Sequence, residues 1–290
     1  MARRAGPFLF LLAACAERPR ETVAPRIDVA QTTMATVTAT PAADLPDDAG
    51  VTLPIPARAQ APEAPPAGWC GETAIQEALL YLGVWAPQRA IHRSGRPAHP
   101  DLYADDIPVA LASLGVKHVF YTGGGAGFDA YARWVRAALD AGDPVLAGVK
   151  ILPTAHPEWG LDHFVLVVGH GEKGLLVNTT WGTREWVTER KAQGISLRNA
   201  FYAIRLTGLR DAGASTRRAR LALLDETRPR VTLRVTCAGL DGGPGWRLER
   251  REVAGGPVVW SEELTASSRE IRRDVTVDAA RLARFRCSRP

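Results

Sequence analysis

The sequence predicts an α+β fold in which a helical half precedes a half of antiparallel strands, followed by a small all-β domain at the C-terminal end. Two observations lead to this prediction. Apolar residues recur with helical spacing in the segments that follow Cys70. From Pro144 onward the chain changes to short β-branched or aromatic segments bounded by Gly, Pro and Asn, which are typical of strands.

Residues 1–15 have the layout of a secretory signal. Arg3 and Arg4 precede a short apolar run that ends at Ala14 and cannot span a membrane. The run closes with Leu-Ala-Ala-Cys, which resembles the bacterial lipoprotein signal, whose cysteine is lipidated. We therefore expect an exported protein of the bacterial cell envelope that is anchored to a lipid bilayer through Cys15, on the outer-membrane or periplasmic side in a Gram-negative cell. An ordinary cleaved signal peptide is the alternative.

Composition divides the rest of the chain into three parts. Residues 16–66 are rich in Pro, Ala, Thr and Asp and contain few large apolar side chains, which predicts a disordered tether. Residues 67–210 form the predicted α+β core, and residues 214–290 form the small β-domain. The net charge is +5, but arginine is interleaved with acidic residues and no basic stripe carries aromatic residues. Nucleic acid is therefore not an expected partner.

Three helices are predicted in the core. The first begins at Cys70 and ends near Gly83, with apolar residues at i, i+3, i+4 and i+7 on one face. The second lies in DLYADDIPVALASLGV, with Asp105 or Asp106 as its N-cap. The third lies in FDAYARWVRAALDAG.

The strand signals run in two series. The core series is PVLAGVKI, DHFVLVVGH, GLLVNTT, TREWVTE and AFYAIRLT, and the C-terminal series is RVTLRVTC, GWRLERREV, PVVWSEEL, RRDVTV and LARFRC. Cys237 and Cys287 both lie in the second series, and export permits disulfides. We predict that these two cysteines pair, closing a loop of 50 positions. On the chain-entropy model such a loop stabilises the fold by about 4 kcal/mol.

This pairing leaves Cys70 as a lone thiol at a helix start. It is a buried filler, a metal ligand or a nucleophile. A nucleophile needs a lowered pKa, which a helix N-terminus and a neighbouring histidine can supply. The residues His156, Asp162, His163 and His170 are crowded, but they lack the spacing of zinc ligands, so we expect neither a metal nor another cofactor.

His163 is the best candidate for the partner of Cys70. It opens the buried run FVLVV, whereas His170 closes it some 20 Å away at about 3.3 Å per residue. The short turn GHGEKG predicts an antiparallel return that brings Asn178 near His163. An amide there could hold the second nitrogen of the ring, and Trp181 could cover that hydrogen bond.

These residues carry a resemblance. DHFVLVVGHG resembles the Asp-His-x-Val-x-x-Val-Gly-Tyr-Gly segment of papain-like cysteine peptidases, and VNTTWG is similar to their Asn-Ser-Trp-Gly segment. WCGETA stands where they have a Cys-Gly helix start. Since the chain from Cys70 to His163 is short for papain, the chain looks closest to compact bacterial papain-fold peptidases that process bacteriocin leaders.

The resemblance implies a papain-like fold, with the helical half carrying the nucleophile Cys70 and the β half carrying the base His163 and the orienting Asn178. Two departures from the family pattern stand out. The family has a Gln about six residues before the cysteine as an oxyanion donor, where this chain has Ala64, so Gln60 is the nearest upstream glutamine. The family also has one residue between Asn and Trp, where this chain has two. Asp162 is therefore a spare acidic candidate.

The sequence thus predicts a thiol hydrolase that cleaves peptide or amide bonds of a peptide or protein substrate. A transglutaminase-like acyltransferase would use the same order of Cys and His. A catalytically inactive papain-fold binding protein is the third reading, and the missing upstream Gln is the feature that favours it.

Overall fold

The computed structural model describes residues 50–61, 68–151, 161–188, 197, 201–211, 216–217, 219–241, 243–253, 255–266 and 269–289. The helices found there are α1 (Cys70–Tyr81), α2 (Gln88–Gly95), α3 (Asp106–Ser113) and α4 (Gly127–Asp140). Helices α1, α3 and α4 are those that the periodicity predicts. Helix α2 was missed because its sequence, QRAIHRSG, offers only one large apolar residue to the core. None of the described helices is long and apolar enough to cross a membrane.

The strands share the chain with these helices, so the α+β class is confirmed. In chain order the described strands are β1 (Val51–Thr52), β2 (Val84–Trp85), β3 (Val116–Phe120), β4 (Val145–Val149), β5 (His163–Gly171), β6 (Gly174–Asn178), β7 (Arg184–Val187), β8 (Ala203–Leu209), β9 (Thr216–Arg217), β10 (Ala219–Asp225), β11 (Arg230–Ala238), β12 (Gly243–Arg251), β13 (Val258–Ala266), β14 (Glu270–Asp278) and β15 (Ala283–Ser288). Strands β2 and β3 lie among the helices, so helices and strands are less strictly segregated than the sequence predicts.

The central sheet is antiparallel and holds seven of the described strands. Six follow the order β3-β8-β4-β5-β6-β7, and β1 also pairs with β5. Strand β5 therefore lies inside the sheet, where every residue except His170 is buried. A strand buried on both faces reads as a continuous apolar run, as FVLVV does.

Helix α1 packs against β5 on one side and against β2 and β10 on another. All twelve of its residues are buried, although the sequence predicts a single apolar face. Its polar residues Gln76 and Glu77 therefore need partners inside the protein, because an unpaired buried polar group is costly. Those partners come from the segment that precedes the helix.

Residues 50–61, here called the N-terminal strap, pack on the core instead of continuing the predicted tether. Val51 pairs with His170, and the Leu53 amide donates to the Val168 carbonyl at 2.7 Å. Leu53 and Ile55 are buried, which stabilises the fold by roughly 1.5–3 kcal/mol each. The physical reason is the period-two alternation VTLPI, which the Pro and Ala content of the whole segment obscures. Residues 1–49 and 62–67, including Cys15 and Ala64, lie outside the described residues.

Polar contacts fix the second half of the strap to the helices. The Arg58 amide donates to Glu77 Oε1 at 2.7 Å, and the Arg58 Nε donates to Gln76 Oε1 at 3.1 Å. The Gln88 side chain accepts from the Ala61 amide at 2.8 Å and donates to the Ala59 carbonyl at 3.2 Å. The strap thus supplies partners for the polar residues of α1.

The C-terminal strands form two further antiparallel sheets. One has the order β10-β11-β14, and the other has the order β13-β12-β15-β2 with β9 also on β15. Because β2 follows α1 and pairs with β15, the core and the C-terminal strands share a sheet. The division into domains 67–210 and 214–290 stays a prediction.

The predicted disulfide between Cys237 and Cys287 is confirmed. The two Cα atoms are 5.9 Å apart, and the bond joins β11 of one C-terminal sheet to β15 of the other. Both cysteines are buried in the apolar core between these sheets. Cys70 is a free cysteine.

Candidate active site

The Cys70 sulfur lies where α1 meets β5. Cys70 is the first residue of α1, and the backbone N–H groups of Phe164 and Gly71 lie close enough to its sulfur to lower the pKa of the thiol. Since Phe164 directly follows His163, these contacts place the thiol beside the start of β5. The side chain is buried, with 8% of the residue exposed.

The electrostatics of Cys70 differ from the sequence-based expectation of a lowered pKa. Burial, followed by the nearby Glu72 and Asp101, raises the pKa of the thiol to about 12, against the smaller opposing effect of the two N–H donors. The helix N-terminus therefore does not offset the loss of water around the sulfur. At neutral pH the group in this conformation is a thiol, so an attack on substrate must remove its proton during the reaction.

The His163 ring is buried, and hydrogen bonds define its tautomer. Its Nε2 lies 3.0 Å from the Thr179 carbonyl oxygen and 3.0 Å from the Thr180 Oγ1. The Thr180 hydroxyl donates to the Thr179 carbonyl at 2.6 Å, so its oxygen can accept from the ring. Because a carbonyl only accepts, Nε2 carries the proton and Nδ1 keeps a lone pair. Burial lowers the pKa of His163, although the Thr179 carbonyl and Asp162 act in the opposite direction.

Trp181 stacks on the ring of this histidine. The two rings stack with centroids 4.6 Å apart and planes inclined by 20°. Strand register explains the contact, because Leu166 pairs with Asn178, and three further steps along the antiparallel pair bring position 181 opposite position 163. The predicted shielding role of Trp181 fits this placement.

Asn178 lies near the site, but its described hydrogen bonds do not reach His163. Its Nδ2 donates to the carbonyls of Ile55 and Pro56 at 3.3 and 3.2 Å, and its Oδ1 accepts from Arg184 Nε at 3.0 Å. Arg184 also bonds the Ile55 carbonyl. The amide therefore holds the strap, and the ring position predicted for Asn178 is taken by the two threonines that follow it.

Asp162, the spare acidic candidate, has its own partners. Its Oδ1 accepts from the Ile151 amide at 2.7 Å, and its Oδ2 lies 3.3 Å from Lys150 Nζ. Asp162 acts on His163 through its charge, which raises the pKa of the ring.

Gln60 is brought to the site by the strap. Its backbone amide donates to the Thr180 carbonyl at 2.7 Å. Its side-chain Nε2 lies so close to Gly68 that a Cβ built there would be 2.2 Å away, and only glycine leaves room for this approach. Gly68 stands two positions before Cys70, so the side-chain amide of Gln60 lies beside the start of α1. Its Oε1 is buried and has no hydrogen-bond partner among the described residues.

A second cluster, missed by sequence reasoning, is built around Glu72, two residues after Cys70 on α1. Glu72 is fully buried, and its Oε1 lies 2.8 Å from His92 Nδ1 and accepts from the Leu102 amide at 3.1 Å. The His92 ring stacks on Trp69 at 4.9 Å. Burial raises the pKa of Glu72, and His92 opposes this shift. Nothing in the local sequence of His92 signals a buried acidic partner.

In the described part of the chain, no group of three or more His, Cys, Asp or Glu side chains is arranged to hold a metal ion. His156 lies outside the described residues. Comparison with family models and with curated proteins finds no match for this chain. The papain-like assignment thus stays a prediction that rests on the residues themselves.

Proposed function

We propose that the protein is a thiol hydrolase that cleaves peptide or amide bonds, with Cys70 as nucleophile and His163 as general base and acid. The observation that carries this proposal is the position of the Cys70 sulfur near the Phe164 N–H, since the preceding residue is a histidine whose Nε2 bonds the Thr179 carbonyl. That arrangement leaves Nδ1 as the basic nitrogen of the ring carried by the residue before Phe164. The order Cys, His, Asn and the Trp181 stack agree with the papain-like resemblance.

In the proposed reaction, His163 Nδ1 takes the thiol proton while sulfur bonds to the carbonyl carbon and the carbonyl π electrons move to oxygen. As the tetrahedral intermediate collapses, the C–N bond breaks and the imidazolium gives its proton to the leaving nitrogen. Water then attacks the thioester, and His163 takes a proton from it. The C–S bond breaks, and the proton returns to sulfur. Because both groups start neutral, proton transfer accompanies attack instead of preceding it.

The oxyanion of the intermediate needs a hydrogen-bond donor. The Cys70 backbone N–H donates to the Gly68 carbonyl at 2.9 Å, so in this conformation it is occupied. The Gln60 side-chain amide beside Gly68 is the donor that we propose. In this chain the donor would come from the strap, ten positions before the cysteine, and not from position 64.

We also propose that the enzyme is exported and tethered to a bilayer through Cys15, where it meets a peptide or protein substrate. The disulfide between Cys237 and Cys287 supports an oxidising compartment. The signal and its cysteine lie outside the described residues.

A binding protein without catalysis is the second candidate, and burial of Cys70 with its raised pKa favours it. A transglutaminase-like acyltransferase would share the thioester but pass the acyl group to an amine. Labelling of the mature protein with iodoacetamide, followed by peptide mass spectrometry, separates the binding protein from the enzymes. The enzyme requires the alkylation rate of Cys70 to depend on His163 and therefore to fall in His163→Ala.

Turnover distinguishes the two enzymes. A library of fluorogenic peptide amides, assayed with and without added primary amine, reports free acid from a hydrolase and amine conjugates from an acyltransferase. Cys70→Ser is the control for both products. A Cys70 that reacts at the same rate in wild type and in His163→Ala would leave the binding protein as the remaining candidate.

A further inference from the structure

We propose that Thr180, and not Asn178, is the positioning residue for His163, whereas Asn178 positions Gln60 by clamping the strap. This inference rests on the proposed function, since it divides two tasks of that site between two residues. It assigns Thr180 a role that the Cys, His, Asn pattern does not contain.

The contacts of His163 support the proposed role of Thr180 as its positioning residue. Both described oxygens within hydrogen-bond distance of Nε2 belong to the pair Thr179 and Thr180, each at 3.0 Å. The Thr180 hydroxyl donates its own proton to the Thr179 carbonyl, so its oxygen lone pair is directed at the ring. Neither oxygen carries a formal charge. This pair therefore fixes the tautomer and still accepts from Nε2 when the ring becomes an imidazolium.

The backbone of Thr180 is held in an unusual state. Its φ is +65°, a left-handed conformation that a β-branched residue rarely adopts. Such a conformation persists only where the surroundings impose it. Here the backbone N–H of Gln60 donates to the Thr180 carbonyl at 2.7 Å, and Trp181 is fixed by its stack on His163. The strained turn aims the Thr180 hydroxyl at the ring.

The contacts of Asn178 support its proposed role in positioning Gln60. Its amide donates to two successive strap carbonyls, those of Ile55 and Pro56, and accepts from Arg184. Four positions further along the strap, Gln60 reaches both Thr180 and Gly68. Asn178 thereby acts on the proposed oxyanion donor and only indirectly on the base.

Two probes separate these tasks. Alkylation of Cys70 by iodoacetamide is a direct displacement at carbon, which needs the base and forms no oxyanion. Acylation by p-nitrophenyl acetate passes through a tetrahedral oxyanion, which needs the base and the donor. Both rates are measured against pH on the mature protein, with thermal unfolding as a check on each variant.

Thr180→Val removes the hydroxyl but keeps the shape, and we expect both rates to fall by about tenfold or more. Thr180→Ser restores the hydroxyl and should recover both rates to within about threefold. Asn178→Ala should leave alkylation within about threefold of wild type and slow acylation by about tenfold or more, as Gln60→Ala does. An Asn178→Ala protein that alkylates as slowly as Thr180→Val would overturn the inference.

The wild-type protein supplies a measurement that needs no variant. Nitrogen NMR of labelled histidine should find His163 as the Nε2–H tautomer at neutral pH, and an Nδ1–H ring would refute the assignment. If His163→Ala leaves alkylation unchanged, the proposed function itself fails. If His163→Ala slows alkylation but Thr180→Val does not, the function stands and the inference alone is lost.

Discussion

His163 and His170 stand at the two ends of one strand, β5, yet their rings bond to different kinds of oxygen. His163 is buried, and its Nε2 meets two neutral oxygens. His170 is half-buried, and its Nε2 lies 2.7 Å from a carboxylate oxygen of Asp140, whose side chain is 56% exposed. A neutral, desolvated ring suits a general base, whereas a ring beside a solvated carboxylate suits a surface ion pair.

The N-terminal strap touches both ends of this strand. It pairs with β5 by backbone hydrogen bonds at His170, and it carries Gln60 to the turn that bonds His163. At the His170 end the contact is backbone pairing, of Val51 with His170 and of Thr52 with Gly169. At the His163 end it depends on the side chains of Asn178 and Glu77, which bond backbone groups of Ile55 and Arg58 in the strap. Changes to side chains should therefore affect chemistry at one end and only surface stability at the other.

The largest expected effect follows from Cys70→Ser. We expect hydrolysis of a peptide amide to fall by roughly a thousandfold or more, because a hydroxyl is far harder to deprotonate than a thiol. The serine oxygen can still accept from the Phe164 and Gly71 N–H groups, so the free energy of unfolding should change by about 1 kcal/mol or less. Turnover and thermal unfolding of both proteins test this. A fall in melting temperature of many degrees would instead identify Cys70 as packing.

The next effect concerns the base. In His163→Ala we expect alkylation of Cys70 at pH 7 to slow by about tenfold or more, because the substitution removes the proposed general base. The wild-type rate should keep rising above pH 8, because burial raises the pKa of Cys70 to about 12. A plateau in the rate that is reached already near pH 6 would reveal a thiolate–imidazolium pair. Cys70 would then be ionised in the resting protein, contrary to the neutral thiol described above.

A smaller effect is expected on stability at the strap. Burial raises the pKa of Glu77 from 4.5 to about 8, although the Arg58 amide, Asn178 and two arginines oppose the shift. Between those two pH values the folded state keeps a proton that the unfolded state has lost, so the free energy of unfolding falls as pH rises and levels off above about pH 8.

Glu77→Gln keeps an oxygen for the Arg58 amide but cannot ionise. The free energy of unfolding of wild type should fall between pH 5 and pH 8, whereas that of Glu77→Gln should not. The difference in favour of the variant should therefore grow by a few kcal/mol over this range. Urea unfolding at both pH values measures the difference. Glu226→Gln is the matched control, since Glu226 also bonds Arg58 but at the surface. Equal pH dependence in wild type and Glu77→Gln would mean that Glu77 is ionised in the folded protein.

The sequence predicted those features that local patterns encode. Helix α1, strands β5 and β6 and the disulfide all follow from periodicity, turns and parity. The residues that bond the His163 ring cannot be predicted from these patterns. The register of β5 and β6 shifts between Val167 and Gly169, a bulge that no residue pattern announces. Through this shift, Thr180 and Trp181 reach the ring, and Asn178 lies opposite Leu166.

The packing of the N-terminal strap on the core could not be predicted, for a different reason. Its apolar alternation covers only Val51, Leu53 and Ile55, which is too short to stand out in a long segment rich in Pro and Ala. The contacts that hold Gln60 at the site come from residues far away in sequence, such as Gln88. Long-range contacts of this kind leave no local signal, so Gln60 could be named as a candidate donor but not placed.

The smallest expected effect is at the His170 end, where His170→Ala removes a ring that bonds an exposed carboxylate. Surface ion pairs typically contribute about 0–1 kcal/mol, so the free energy of unfolding should fall by about 1 kcal/mol or less. Alkylation of Cys70 should stay within about twofold of wild type, because β5 separates the two histidines by seven positions of extended chain. Asp140→Asn should reproduce the stability change, since it removes the charge of the same pair. A rate that falls further in His170→Ala than in His163→Ala would place the active site at the wrong end of the strand.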